Sequence, residues 1–225
     1  VAVSVFALAA CGNNADAPEG GADASLQSVM DSGVLRVGMC PEYPPFESVN
    51  ENNELIGFDP ALAAAVAEEM GVTVETVNTP WEGLIAGLNN GEFDVIMSAM
   101  SPEEATAATD AVELGEDYFV LSEVIVVRAD NDTIKTKEDL AGKVVGVQDA
   151  CSSTQAAESL PDMGIEVKTL NKYNRNAEAY ADLKNGRIEA IVVGVTYANA
   201  QAANNPEFKV VKLALWLWLN RALPA

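Results

Sequence analysis

The chain has 225 residues, enough for one large domain or two small ones, and its 49% hydrophobic and 21% charged content is ordinary for a globular protein. Charge is the exception: 34 acidic against 13 basic side chains give a net −21, which argues against nucleic acid and anionic lipid as partners because phosphate binding needs Lys and Arg. There is no His, so a histidine base or histidine metal ligand is excluded, and neither a metal nor a cofactor is expected.

Residues 1–10, V-A-V-S-V-F-A-L-A-A, are uncharged and apolar but too few to span a bilayer. They read as the end of a secretory signal. Leu8-Ala9-Ala10-Cys11 is similar to the bacterial lipobox, whose Cys is acylated, so 1–11 is expected to be a signal remnant with Cys11 the lipidated residue. Residues 12–25 are small and polar, as in a flexible tether. Lipidation implies an extracytoplasmic globular part anchored to the bacterial cell membrane.

Val34–Gly38 reads as a short buried strand. Cys40–Phe46 carries three prolines, which force extended or turn geometry, and 50–54 is a polar turn. Asp59 is placed to cap a helix with Pro60 first, running to Met70 and stopped by Gly71. A strand at 72–77, a helix at 80–88 and a buried strand at 93–97 follow. Tyr118–Arg128 is a longer β-rich run suited to crossing between lobes. The pattern then restarts: a helix near 137–141, strand 144–147, helix 153–160, strand 165–170, helix 177–185, strand 188–193, helix 196–203 and strand 208–213. The tail at 213–225, L-A-L-W-L-W-L-N-R-A-L-P-A, reads as a truncated or altered terminus, or as a strand without partners.

One phrase occurs twice. Residues 88–98 read L-N-N-G-E-F-D-V-I-M-S and residues 183–193 read L-K-N-G-R-I-E-A-I-V-V; the opening strands G-V-L-R-V-G-M (33–39) and G-K-V-V-G-V-Q (142–148) also match in pattern. Two similar α/β lobes imply a cleft, and clefts hold small ligands. In parallel sheets ligands sit at the C-terminal strand ends, here Met39–Tyr43 and Met97–Ser101 in lobe one, and Gln148–Ser152 and Gly194–Thr196 in lobe two.

These motifs, with Y-P-P-F, G-F-D (57–59), W-E-G-L-I-A-G-L (81–88), G-E-F-D-V-I-M-S-A-M-S (91–101), D-L-A-G-K-V-V-G-V-Q (139–148) and L-K-N-G-R-I-E-A (183–190), resemble the bacterial extracellular solute-binding proteins of family 3 over roughly residues 33–212. The resemblance implies an α/β, periplasmic-binding-protein-like (type II) fold of two lobes joined by hinge strands. Lobe one would comprise 26–121 plus 207–225, incomplete at its C-terminus, and lobe two 122–206. It implies capture of an amino acid or related small polar solute for the permease of an ABC importer, by a monomer without catalytic residues.

The resemblance also assigns a site. Tyr43 matches an aromatic stacking position and Trp81 a second apolar wall, although both also suit plain core packing. Ala99 would offer backbone groups and Ser101 a hydroxyl, with Ser101 equally suited to cap a helix before Pro102. Cys151 and Ser152 match a two-hydroxyl position, and Gly194 lies at the other strand end of lobe two. Cys40 and Cys151 fall at facing positions, either pairing on closure or remaining two independent buried thiols. Two departures stand out. Thr106 or Glu104 stands where the family has an Arg for the ligand carboxylate, and residues 37–127 contain no Lys or Arg. Gly194-Val195-Thr196 stands where the family has an Asp for the ligand ammonium, and no acid follows until Glu207. The negative first lobe favours a cationic or neutral ligand; its plainer reading is a solvated acidic surface, with Glu42, Glu82 and Glu104 near the cleft edges. The alternatives are a sensory or orphan ectodomain, a decayed copy that no longer binds α-amino acids, and a dehydratase-like enzyme on the same fold.

Overall fold

The computed structural model describes residues 21–108 and 112–211. Cys11, the rest of 1–20 and the tail from 212 lie outside the described residues. Helix α1 (Gly21–Ser32) takes in the last five residues of the expected tether. Among the described residues no helix is long and apolar enough to cross a membrane.

The first lobe is built on β1 (Val34–Met39), which lies between β5 (Thr73–Asn78) and β6 (Val95–Ile96) in a parallel sheet. Val37 and Met39 are fully buried on it, while Arg36 between Leu35 and Val37 turns outward to pair with Asp94. A small antiparallel sheet, β2 (Glu42–Tyr43), β3 (Glu47–Val49) and β4 (Leu55–Ile56), lies between β1 and helix α2 (Phe58–Met70) in the chain. The sequence places Asp59 as the cap of α2, but the cap is Gly57 at φ 135°. A Cβ there would collide with the Phe46 carbonyl oxygen, so the chain needs glycine at this turn, and Asp59 is drawn into the buried first turn. Gly71 ends α2 in the left-handed conformation, as its sequence position indicates. A 3-10 turn at Trp81–Gly83 leads into α3 (Leu84–Asn89), and α4 spans Pro102–Ala108.

The second lobe carries five strands in the order β11-β7-β10-β8-β9: β7 (Glu123–Arg128), β8 (Val144–Gln148), β9 (Thr169–Tyr173), β10 (Ala190–Gly194) and β11 (Phe208–Val211). Helices α5 (Ser152–Glu158), α6 (Asn176–Lys184) and α7 (Val195–Asn204) pack on it. The internal repeat is structural. β5-β1-β6 and β9-β8-β10 have the same parallel order, and the repeated Asn-Gly stops place Gly91 and Gly186 at φ 71° and 72°.

Three expectations shift. Strand β7 starts at Glu123 rather than Tyr118, because Tyr118 and Phe119 turn into the first lobe and pack on Phe58 and Phe46, at centroid separations of 5.9 and 5.0 Å. Strand β9 starts at Thr169 rather than Ile165, because Ile165 is consumed in the second-lobe core just after the left-handed Gly164. Residues 208–211 do not return to lobe one: β11 pairs antiparallel with β7, Phe208 opposite Arg128, and so belongs to the second sheet.

Candidate functional site

Each lobe ends its central strands at the same junction, and side chains of one lobe reach the other there. The Trp81 indole Nε1–H donates to the Ala150 carbonyl at 3.0 Å. Tyr43 stacks on Phe46 of its own lobe and on Tyr197 of α7, the latter at 4.8 Å and 4°. Its hydroxyl lies so close to Gly194 that any Cβ there would collide with it. Arg175 pairs with Glu42 at 3.3 Å. Ala99 and Ala150, at the ends of facing strands, both adopt positive φ (48° and 54°), the kind of backbone strain that surrounding structure must hold in place.

Glu104 is the centre of this junction. It occupies the third position of α4, and S-P-E-E forms a capping arrangement: the Glu104 N–H donates to Ser101 Oγ at 3.2 Å while the Ser101 N–H donates to Glu104 Oε2. The other oxygen, Oε1, accepts the Ser152 N–H from the second lobe. Glu123, at the start of β7, lies opposite Gly194 in the strand register and accepts the Ser152 hydroxyl at 2.8 Å and the Ser153 hydroxyl at 2.7 Å. Glu104 and Glu123 are 8% and 7% exposed as residues. Burial pushes both above the usual carboxylate range, the donors pull them back in part, and the Glu104 charge raises Glu123 further. Among the described residues no Lys or Arg pairs with either.

Of the residues singled out from sequence, the structure gathers Tyr43, Trp81, Ser101, Cys151, Ser152 and Gly194 around this junction. Ser101 is the helix cap its position allows. The Cys151 thiol donates to the Gln148 carbonyl at 3.0 Å and is pushed up to about 12, chiefly by burial. The Ala99 N–H is taken by the Tyr118 hydroxyl at 3.1 Å. Thr106 is exposed and its hydroxyl turns back to the Pro102 carbonyl of its own helix at 2.9 Å. Cys40 is in the first-lobe core with Leu84 and Phe93, because Ser98 Oγ anchors its N–H at 3.0 Å. Both cysteines are free and buried. Sequence reasoning missed Glu123 and Tyr197. It searched for the second-lobe acid after Val193, whereas the fold brings one from the neighbouring strand; Glu207, the next acid along, pairs with Lys184 instead at 2.8 Å. Among the described residues no group of three His, Cys, Asp or Glu side chains is arranged to hold a metal ion.

A model of the bacterial extracellular solute-binding proteins, family 3, matches residues 35–162. The chain belongs to this family. It is 33% identical over 178 residues to ABC transporter arginine-binding protein 1 of Escherichia coli K12, covering 78% of this chain and 69% of that protein. It is also 33% identical to a probable histidine-binding protein of Campylobacter jejuni, covering 77% of this chain and 65% of that one. Among solved structures, the arginine-bound form of truncated ArgBP from T. maritima superposes with a TM-score of 0.72 at 35% identity, covering 82% and 84% of the two chains. An ancestral amino acid-binding protein, a precursor of cyclohexadienyl dehydratase, gives 0.74 at 35% identity over 84% and 81%. The fold of this family member is therefore the two-lobed type II arrangement expected from its motifs.

Proposed function

We propose that this solute-binding protein is an extracytoplasmic receptor that holds an amino acid or related small polar solute between its lobes, by a cationic group, and delivers it to ABC permease subunits. The observation that carries the reading is the buried pair Glu104 and Glu123 at the lobe junction, with no Lys or Arg among the described residues paired to either. A ligand ammonium or guanidinium there meets two carboxylates already removed from water, where their attraction is least screened. The relatives named for arginine and histidine support the same charge. Tyr43 and Trp81 contact both lobes only when these are together, so they couple binding to closure. Both oxygens of each carboxyl accept an N–H or a hydroxyl, which fixes the pair in place while their remaining lone pairs can receive a ligand cation. Anchoring through Cys11, a position outside the cytoplasm and a monomeric state complete the proposal.

A thermal-shift and calorimetric panel on the whole chain tests it, with cationic, neutral and acidic amino acids and small amines. At least one cationic solute is expected to raise the melting temperature, and Glu123→Gln is expected to weaken that solute by about tenfold or more. No response to any member of the panel from a folded protein, or a strongest response to the acidic amino acids, overturns the reading.

A further inference from the structure

We infer that Glu104 sets the substrate class: this receptor selects small organic cations that carry no carboxylate, such as amines and guanidines, over the corresponding amino acids. The inference rests on the cleft reading above and narrows it. Two backbone N–H groups converge at the junction, Ser101 from lobe one and Ser152 from lobe two. Converging N–H donors are an anion's place, and the chain's own carboxylate fills it, one oxygen to each donor. The capping bond from the Glu104 N–H to Ser101 Oγ fixes the root of the side chain, so the carboxylate is held there rather than arriving by chance.

A ligand carboxylate approaching the junction would find both donors occupied. It would also face two buried negative groups, since Glu123 is hung on the same Ser152 by its hydroxyl. No Lys or Arg exists between positions 37 and 127 to receive it from lobe one. On the second lobe the nearby Arg175 is already paired with Glu42. An ammonium or guanidinium suffers none of these penalties. Discrimination of this kind works by repulsion as much as by attraction.

Isothermal titration with two matched pairs reads it: agmatine against L-arginine and putrescine against L-ornithine, each pair differing only by the carboxylate. The wild-type chain is expected to bind the decarboxylated member about a hundredfold more tightly. Glu104→Ala, which frees both N–H donors, is expected to reduce that preference by about tenfold or more by gaining affinity for the amino acids. Glu104→Gln keeps the size and one acceptor and is expected to fall between the two; circular dichroism establishes that each variant is folded. Equal or tighter binding of L-arginine or L-ornithine by wild type overturns the inference and leaves the receptor reading standing. An undiminished preference in both folded variants removes Glu104 as its cause. Binding of neither pair, nor of any cation in the wider panel, defeats the receptor reading and this inference with it.

Discussion

At the residue scale the most unusual groups are two buried acids in the first lobe. Glu47 receives a hydrogen bond from the Ser98 hydroxyl at 2.5 Å on one oxygen and has no partner for the other. Asp59 is fully buried, and among the described residues neither of its oxygens has a hydrogen-bond partner, the Tyr118 hydroxyl and the Ala99 N–H being the donors that lower its pKa. Desolvation raises Glu47 from 4.5 to about 9 and Asp59 from 3.8 to about 6, and the Asp59 charge adds to the rise at Glu47. A carboxyl whose native pKa exceeds its unfolded one binds its proton more tightly in the native state. Its contribution is therefore fully present below about pH 4 and is lost as pH rises toward about 6 for Asp59 and about 9 for Glu47. Between pH 6 and 9 the melting temperature is expected to fall by about 3–5 °C per unit. Glu47→Gln should flatten that slope and melt higher than wild type at pH 8; an unchanged slope would show that Glu47 is not protonated in the native state. The acidity of this lobe was legible in its composition, but the burial of these two acids was not. Asp59 looked like a surface cap because nothing in G-F-D reveals that the Phe46 carbonyl crowds Gly57.

At the scale of elements, the two strand ends that meet at Gly194 decide how closely the lobes approach. Its φ of −56° is open to any residue, so the constraint is space alone. A Cβ would strike the Tyr43 hydroxyl oxygen, while the ring carbon bearing it stands 3.4 Å away, an ordinary contact. Gly194→Ala is expected to weaken ligand by about tenfold with little change in melting temperature. Tyr43→Phe in the same chain should restore most of that loss by removing the colliding atom. Failure of the double variant to recover would mean that Gly194 acts through its own backbone. Sequence spacing placed the end of β10 at Val193, one residue short of Gly194, because an unbroken apolar run that meets a glycine marks a buried parallel strand. It could not show that β7 runs antiparallel beside it and sets Glu123 opposite Gly194, since strand pairing depends on contacts 71 residues apart.

At the scale of the whole molecule, closure rests on a few bonds between otherwise separate cores. The Trp81 indole to the Ala150 carbonyl is the simplest to remove cleanly. Trp81→Phe keeps the ring packed against Leu84 and Phe93 but deletes the donor. Such a loss of about 0.5–1.5 kcal/mol biases the lobes toward opening. Small-angle scattering should then record a larger radius of gyration for the ligand-free variant than for wild type, and saturating ligand should abolish the difference. Identical scattering in the absence of ligand would show that this bond does not contribute to closure.

The sequence by itself determined the duplicated α/β pattern, the stops at Gly71, Gly91 and Gly186, the family, and the strand ends at which Tyr43, Trp81, Ser101, Cys151, Ser152 and Gly194 come to the lobe junction. Each depends on periodicity, local turn chemistry or motif, which act over a few neighbouring residues. Only the tertiary structure decided that Cys40 belongs to a core, that Thr106 points away, that β11 joins the second sheet and that two carboxyls meet at Ser152. Glu104 and Glu123 lie 48 and 29 residues from that serine, and nothing short of folding both lobes against each other brings such groups within a hydrogen bond and removes them from water together.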